Sequence, residues 1–227
     1  MQPYFFPYIG YWQLINAVDC FMIYDNLNYI RHGWINRNRI LINGESAYIT
    51  VPLHQSSPYK WIRDTVMQSS LTWRHILIKK IKITYRRAPY YAEVFSVIED
   101  AILYDTDNLS DYLAYQLQSL AAFMGINTKF MVVTRSYEDN DWSGQERVIN
   151  ICKREGATTY INLPGGQALY NRATFAQNDL DLKFVTPLAI EYKQFGYVFI
   201  PWLSIIDVMM FNSPSQLRIL LNTYKLI

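Results

Sequence analysis

Met1-Gln2-Pro3-Tyr4-Phe5-Phe6-Pro7-Tyr8-Ile9-Gly10-Tyr11-Trp12-Gln13-Leu14-Ile15-Asn16 is the stretch from which the rest of the chain is read. Pro3 and Pro7 lack a backbone donor and bias the residue before them away from helix. Gln2 to Pro7 is therefore expected as an extended loop, with a helix starting near Pro7. Gly10 leaves out a side chain where a backbone or ligand comes close. Beyond it Tyr11, Leu14, Ile15 and Val18 keep a helical apolar spacing, so residues 10 to 18 are expected as helix. A loop entering a helix offers free N–H groups and a positive dipole end, a seat for an anion. The other reading of the same residues is an aromatic plug that closes the core.

Working outward, Cys20-Phe21-Met22-Ile23-Tyr24 is a short apolar run before polar Asp25-Asn26, the mark of a buried strand. Loop, helix and strand in this order suggest the βαβ pattern of a parallel sheet. Trp34 to Ile42 and Ser46 to Leu53 flank Asn43-Gly44, the strongest short hairpin signal. On the first of these strands Asn36 and Asn38 share one face, Arg37 and Arg39 the other.

Residues 54–70 are expected as loop with a short strand at Ile62 to Val66. Trp73 to Tyr85, Tyr91 to Leu103 and Asn108 to Met124 follow as helices, the last closed by Gly125. Lys129 to Thr134 reads as strand. Ser143 with Glu146 reads as a capping box for a helix reaching Glu155-Gly156. Thr158 to Asn162 and Leu182 to Phe184 are strands. Pro164-Gly165-Gly166 turns the chain toward a helix at Gln167 to Tyr170. Ser204 to Phe211 and Leu217 to Tyr224 close the chain as helices. No repeat or low-complexity linker divides it. The expectation is one α/β domain over residues 1–227: a three-layer Rossmann-like parallel sheet, an appended β-hairpin at 34–53 and a helical region at 73–124.

Composition narrows the function. Charged residues are 18%, below the usual share of about 25%. Hydrophobic residues reach 51% and aromatics 16%, enough for a sizeable core and for rings that stack on sugars. A net charge of +2, from 21 basic and 19 acidic residues, is too balanced for a nucleic-acid binder. Cys20 and Cys152 read as buried thiols of a reducing cytosol. His32, His54 and His75 share no ligand spacing, so no metal or cofactor is expected. No apolar run is long enough to span a bilayer, and the expected location is the cytoplasm.

The quoted opening, Gln2 to Tyr11 followed by Gln13-Leu14-Ile15, resembles the first motif of the WbqC-like family, found with bacterial O-antigen and other surface-polysaccharide genes. The resemblance continues at Asp25, Gly33 to Ile40, Thr50-Val51-Pro52, Ala88-Pro89-Tyr90-Tyr91 and Gly165-Gly166, and ends on Phe199 to Asn212. It implies transfer of an acyl or aminoacyl group, with glycine the one suggested for the family, to an amino group of a nucleotide-linked sugar. The alternatives are a non-catalytic nucleotide-sugar binding protein and a nucleotidyltransferase-like enzyme. A weaker resemblance supports the last: Tyr8-Ile9-Gly10-Tyr11 sits where nucleotidylyltransferases and class I aminoacyl-tRNA synthetases carry His-x-Gly-His. Tyrosine donates a hydrogen bond there but carries no positive charge.

The candidate site follows from these readings. Gln2, Tyr4, Tyr8, Gly10 and Tyr11 line it. Asn36, Arg37, Asn38 and Arg39 bind, the arginines holding phosphate or carboxylate bidentately. Gly165 and Gly166 form an anion-binding turn. Asp25, His32 and Asp207 are the acid–base candidates. The partner is a small-molecule nucleotide sugar or acyl donor.

Overall fold

The computed structural model describes residues 1–133, 137, 142–196 and 198–227. The opening loop leads into helix α1 (Ile9–Asn16), with Tyr8 as an extended N-cap. Trp12, Tyr11, Phe5 and Phe6 are fully buried. Trp12 Nε1 donates to the Pro7 carbonyl at 3.0 Å, and Gln13 Nε2 donates to the carbonyls of Leu220 and Thr223 at 2.8 and 2.9 Å. The opening stretch is thus a plug and a helix start together.

Strand β1 (Cys20–Ile23) follows directly. Strands β2 (Arg37–Ile42) and β3 (Glu45–Thr50) form the expected hairpin, in antiparallel register with Arg39 opposite Tyr48. Asn43 and Gly44 both take positive φ, 52° and 82°, which two-residue primed turns require. Residues 54–70 hold a 3₁₀ turn at Ile62–Asp64 where a strand was expected. A short antiparallel pair, β4 (Leu53–His54) and β5 (Val66–Met67), flanks it.

Helices α2 (Thr72–Tyr85), α3 (Tyr91–Leu103) and α4 (Leu109–Phe123) form the helical region. Asn108 caps α4 by accepting from Asp111 N, and Gly125 ends it at φ 72°. Strand β6 (Lys129–Val132) lies parallel to β1; the expected strand end at Thr134 lies outside the described residues. Helix α5 (Gly144–Arg154) begins after Ser143, whose side chain makes no cap bond, so the capping box does not close. Strands β7 (Thr159–Asn162) and β8 (Asp181–Pro187) run parallel, with α6 (Arg172–Ala176) between them. Pro164–Leu169 is a 3₁₀ segment rather than an α-helix.

Helices α7 (Ile205–Phe211) and α8 (Pro214–Leu221) complete the helical set. Ser213 and Pro214 start α8 three residues earlier than the expected Leu217, because a serine cap followed by proline favours a helix start. The chain then leaves the helix and pairs β9 (Tyr224–Leu226) antiparallel to β8.

The fold is mixed α/β with parallel pairs, but the described strands form four small sheets rather than one. β1–β6 and β7–β8–β9 stay separate. A cleft of 670 Å³ lies between them, lined on one side by Cys20, Phe21 and Met22 and on the other by Thr159, Tyr160 and Ile161. Cys152 also lines it, its thiol pushed up to about 11 by burial. One main core joins α1, β1, the hairpin and α2–α4 to α7 and α8; a smaller one packs α5 and α6 on β7 and β8. No described helix is long and apolar enough to cross a membrane.

Candidate functional site

Three segments distant in sequence are stitched together around Ser204. Ser204 N donates to Arg39 O at 2.8 Å, Ser204 Oγ to Phe6 O at 2.8 Å, and Ile205 N to Pro7 O at 3.0 Å. Tyr8 and Ser204 form an antiparallel bridge. Asn38, buried in β2, donates through Nδ2 to Phe5 O at 3.0 Å and to Phe6 O at 2.9 Å, while its Oδ1 accepts from Arg39 N. Gln116 Oε1 accepts from Phe6 N at 2.6 Å. These bonds hold Phe6 at φ 41°, a left-handed conformation that a bulky residue keeps only when its surroundings impose it.

Beside this junction opens a cleft of 590 Å³. Ile9 at the start of α1, Pro187 at the end of β8, and Glu191, Tyr192, Phe199 and Trp202 are among its walls. Glu191 is the one ionisable carboxylate among the described lining residues. Arg39 reaches a residue of the cleft wall: its Nη2 donates to Trp202 O at 3.3 Å, and its guanidinium sits 5.5 Å from the Trp34 ring centre. Its Nε is buried with no hydrogen-bond partner. Arg37 lies 4.6 Å from the Tyr48 ring centre and donates to the carbonyls of Gly33 and His32. Among the described residues neither arginine has a carboxylate partner. Trp34, Tyr48 and Trp202 are 38%, 48% and 60% exposed, so these rings are open to a ligand.

Gly10 is explained by close packing. A Cβ there would fall 2.4 Å from Tyr8 Cε2 and 2.9 Å from Pro187 Cγ. Gly10→Ala is expected to push the Tyr8 ring off its edge-to-face contact with Trp202, at a cost of about 1–3 kcal/mol. A lower melting temperature checks it.

The remaining sequence candidates divide clearly. Tyr11 is fully buried and donates to Gln2 O at 2.8 Å, and Tyr4 packs on it at 5.3 Å between ring centres. Asn36 donates to Val51 O and accepts from Tyr29 Oη, so its amide serves the hairpin. Asp25 is buried and accepts from Ser110 Oγ at 3.2 Å. His32 is exposed at φ 59°. Gly165 is exposed, and Gly166 packs on Asn162, whose Nδ2 donates to the hydroxyls of Tyr160 and Tyr170. None of the sequence candidates lines the 590 Å³ cleft itself; Tyr8 and Arg39 reach its wall through Trp202, and Gly10 through Pro187. Among the described residues no group of three or more His, Cys, Asp or Glu could hold a metal ion.

Asp207 sits fully buried in the first turn of α7. Its carboxylate accepts from Tyr85 Oη at 2.8 Å, Tyr192 Oη at 2.7 Å and Gln194 Nε2 at 2.7 Å. Burial raises its pKa above 3.8, against the three hydrogen bonds, which pull it down. A raised folded pKa means the native state holds the proton more tightly than the unfolded chain does. From this group, stability therefore falls as pH rises from 3.8 through the raised value. Asp207→Asn is expected to remove that part of the pH slope, measured by denaturant unfolding at several pH values.

Sequence reasoning missed Glu191, Tyr192, Gln194 and Trp202. They lie between β8 and α7, where no periodicity marks a role. The sequence profile of the WbqC-like protein family matches residues 2–219, which takes in every element of this junction. The chain belongs to that family. This WbqC-like chain is also 28% identical over 225 residues to the uncharacterized protein Rv1507c of Mycobacterium tuberculosis, covering 96% of each chain. No solved structure matches it.

Proposed function

We propose that this WbqC-like protein is a cytoplasmic enzyme of surface-polysaccharide biosynthesis that transfers an acyl or aminoacyl group to an amino group of a nucleotide-linked sugar. One observation carries the reading. Arg37 and Arg39 lack a carboxylate partner among the described residues and stand among exposed aromatic rings, and Arg39 donates to Trp202 O on the wall of a cleft whose described lining holds a single carboxylate. Arginine forks match a diphosphate, and exposed rings stack on a sugar or base. The parallel pairs β1–β6 and β7–β8 support a layered Rossmann-like arrangement.

In this reading the anionic end of the substrate rests on the arginines and the amine enters the cleft. Glu191 takes a proton from the ammonium group. The freed nitrogen lone pair attacks the acyl carbon, a new C–N bond forms, the donor's leaving group departs with the electrons of its bond, and the second nitrogen proton passes to that leaving group, which leaves a neutral amide. Asp25, His32 and Asp207 remain base candidates from sequence, and Glu191 joins them on its place in the cleft. A second reading, a non-catalytic nucleotide-sugar binder, is favoured by the lack of a serine or cysteine nucleophile among the described lining residues.

Incubation with an amino-sugar nucleotide and an acyl thioester separates the two. An acylated sugar nucleotide in the mass spectrum supports the enzyme; binding without product supports the second reading. Arg37→Ala and Arg39→Ala are each expected to weaken binding of the sugar nucleotide by about 1.5–3 kcal/mol, the range for hydrogen bonds to charged groups, with little change in melting temperature. Titration calorimetry checks both.

A further inference from the structure

We infer that Asp207 is a positioning residue: it fixes the wall of the 590 Å³ cleft and ties that wall to the arginine strand. The inference rests on the cleft being the binding site proposed above.

Between the end of β8 at Pro187 and the start of α7 at Ile205 none of the described residues is in a helix or strand. Yet this segment supplies Glu191, Tyr192, Phe199, Pro201 and Trp202 to the cleft. Its start is held by Leu188 N donating to Thr223 O, and the bonds at 192, 194 and 200 are made by side chains that converge on one carboxylate. Oδ2 of Asp207 accepts from Tyr192 Oη and from Gln194 Nε2. Gln194 also brackets its own loop: Nε2 donates to Ile200 O at 3.1 Å and Oε1 accepts from Ile200 N at 2.8 Å. Tyr192 in turn packs edge-to-face on Phe199, 5.1 Å between ring centres. The wall is thus anchored at 192, 194 and 200 through Oδ2.

Oδ1 reaches the other half of the site. It accepts from Tyr85 Oη, and Tyr85 Oη accepts from Leu41 N of β2 at 3.1 Å, two residues along from Arg39. Rings of Phe195 and Phe211 pack against Tyr85, and both Phe195 and Tyr192 also pack against Phe211, so aromatic rings surround the carboxylate. No ion pair of Asp207 with a lysine or arginine occurs among the described residues. What the carboxylate supplies is acceptor capacity: three donors on two oxygens. Asparagine has one acceptor oxygen: set on Tyr192 and Gln194, it turns Nδ2 toward Tyr85 Oη, and the buried Tyr85 hydroxyl proton loses its acceptor. The amide is isosteric and still leaves one of the three buried donors unsatisfied.

The test compares wild type, Asp207→Asn and Tyr192→Phe by amide hydrogen exchange and by titration with UDP-N-acetylglucosamine. Tyr192→Phe removes one bond and leaves the buried carboxylate, so it reports even if Asp207→Asn folds poorly. Exchange across residues 191–203 is expected to quicken by roughly ten- to a hundredfold in both variants, the loss of one or two bonds to a charged group. Exchange in α1 and α4 should stay unchanged, and sugar-nucleotide binding should weaken with it. Quickening spread evenly over the chain, or none at 191–203, overturns the positioning role. Confined quickening in a protein whose wild type fails to bind the probe leaves the role standing and overturns the functional reading instead.

Discussion

Glu191→Gln is expected to lower turnover of an amino-sugar nucleotide by about 10²–10⁴-fold, the usual contribution of a general base. The substitution keeps size and hydrogen-bonding reach but cannot take a proton from an ammonium group. Glu191 is exposed at the cleft edge, so stability should hardly move. Binding of the sugar nucleotide should also persist, because Arg37 and Arg39 hold its anionic end. Steady-state kinetics with calorimetry separates the two effects: kcat falls while Kd stays. Unchanged turnover would overturn Glu191 as the base.

Asn38→Leu is expected to cost about 2–4 kcal/mol and to abolish ligand binding together. Asn38 is 3% exposed, and its amide serves Phe5 O, Phe6 O and Arg39 N at once. Leucine leaves the Arg39 N–H and the Phe5 carbonyl without those partners, at roughly 1–3 kcal/mol for each group left unsatisfied. It also releases Phe6 from part of the bonding that holds φ at 41°. For a chain of this size a melting temperature lower by about 5–15 °C follows. The opening loop and Arg39 would then lose their common frame. A variant that melts normally and binds normally would show that the amide holds nothing.

The parts of the fold legible in sequence are those with local physical causes. Asn43-Gly44 needs positive φ twice and gave the hairpin; Gly125 and Gly156 end helices at positive φ as glycine permits. The family resemblance across the chain was legible too, and the profile match bears it out. The separation of β1–β6 from β7–β8–β9 was not, because strand pairing depends on long-range contacts that no local pattern encodes. Ser143 shows the limit of a motif: serine and glutamate stand at capping-box spacing, yet the serine side chain makes no cap bond. Asn36 and Asn38 were read as ligand contacts on the strength of the family resemblance, and their amides are occupied within the fold, by Val51 O and Tyr29 Oη for Asn36 and by the Phe5 and Phe6 carbonyls for Asn38. The cleft wall around Glu191 and Tyr192 escaped because its order comes from Asp207, Gln194 and a tyrosine hydroxyl rather than from a repeating element.

The central claim is that the opening loop, the β2 arginines and the 590 Å³ cleft are one site for a nucleotide-linked sugar. A crystal structure of the protein soaked with UDP-N-acetylglucosamine tests it most directly. The account predicts the diphosphate against Arg37 and Arg39, with the sugar over Trp202 and toward Glu191. A ligand seated instead at the Gly165–Gly166 turn, or between β1 and β7, would contradict it.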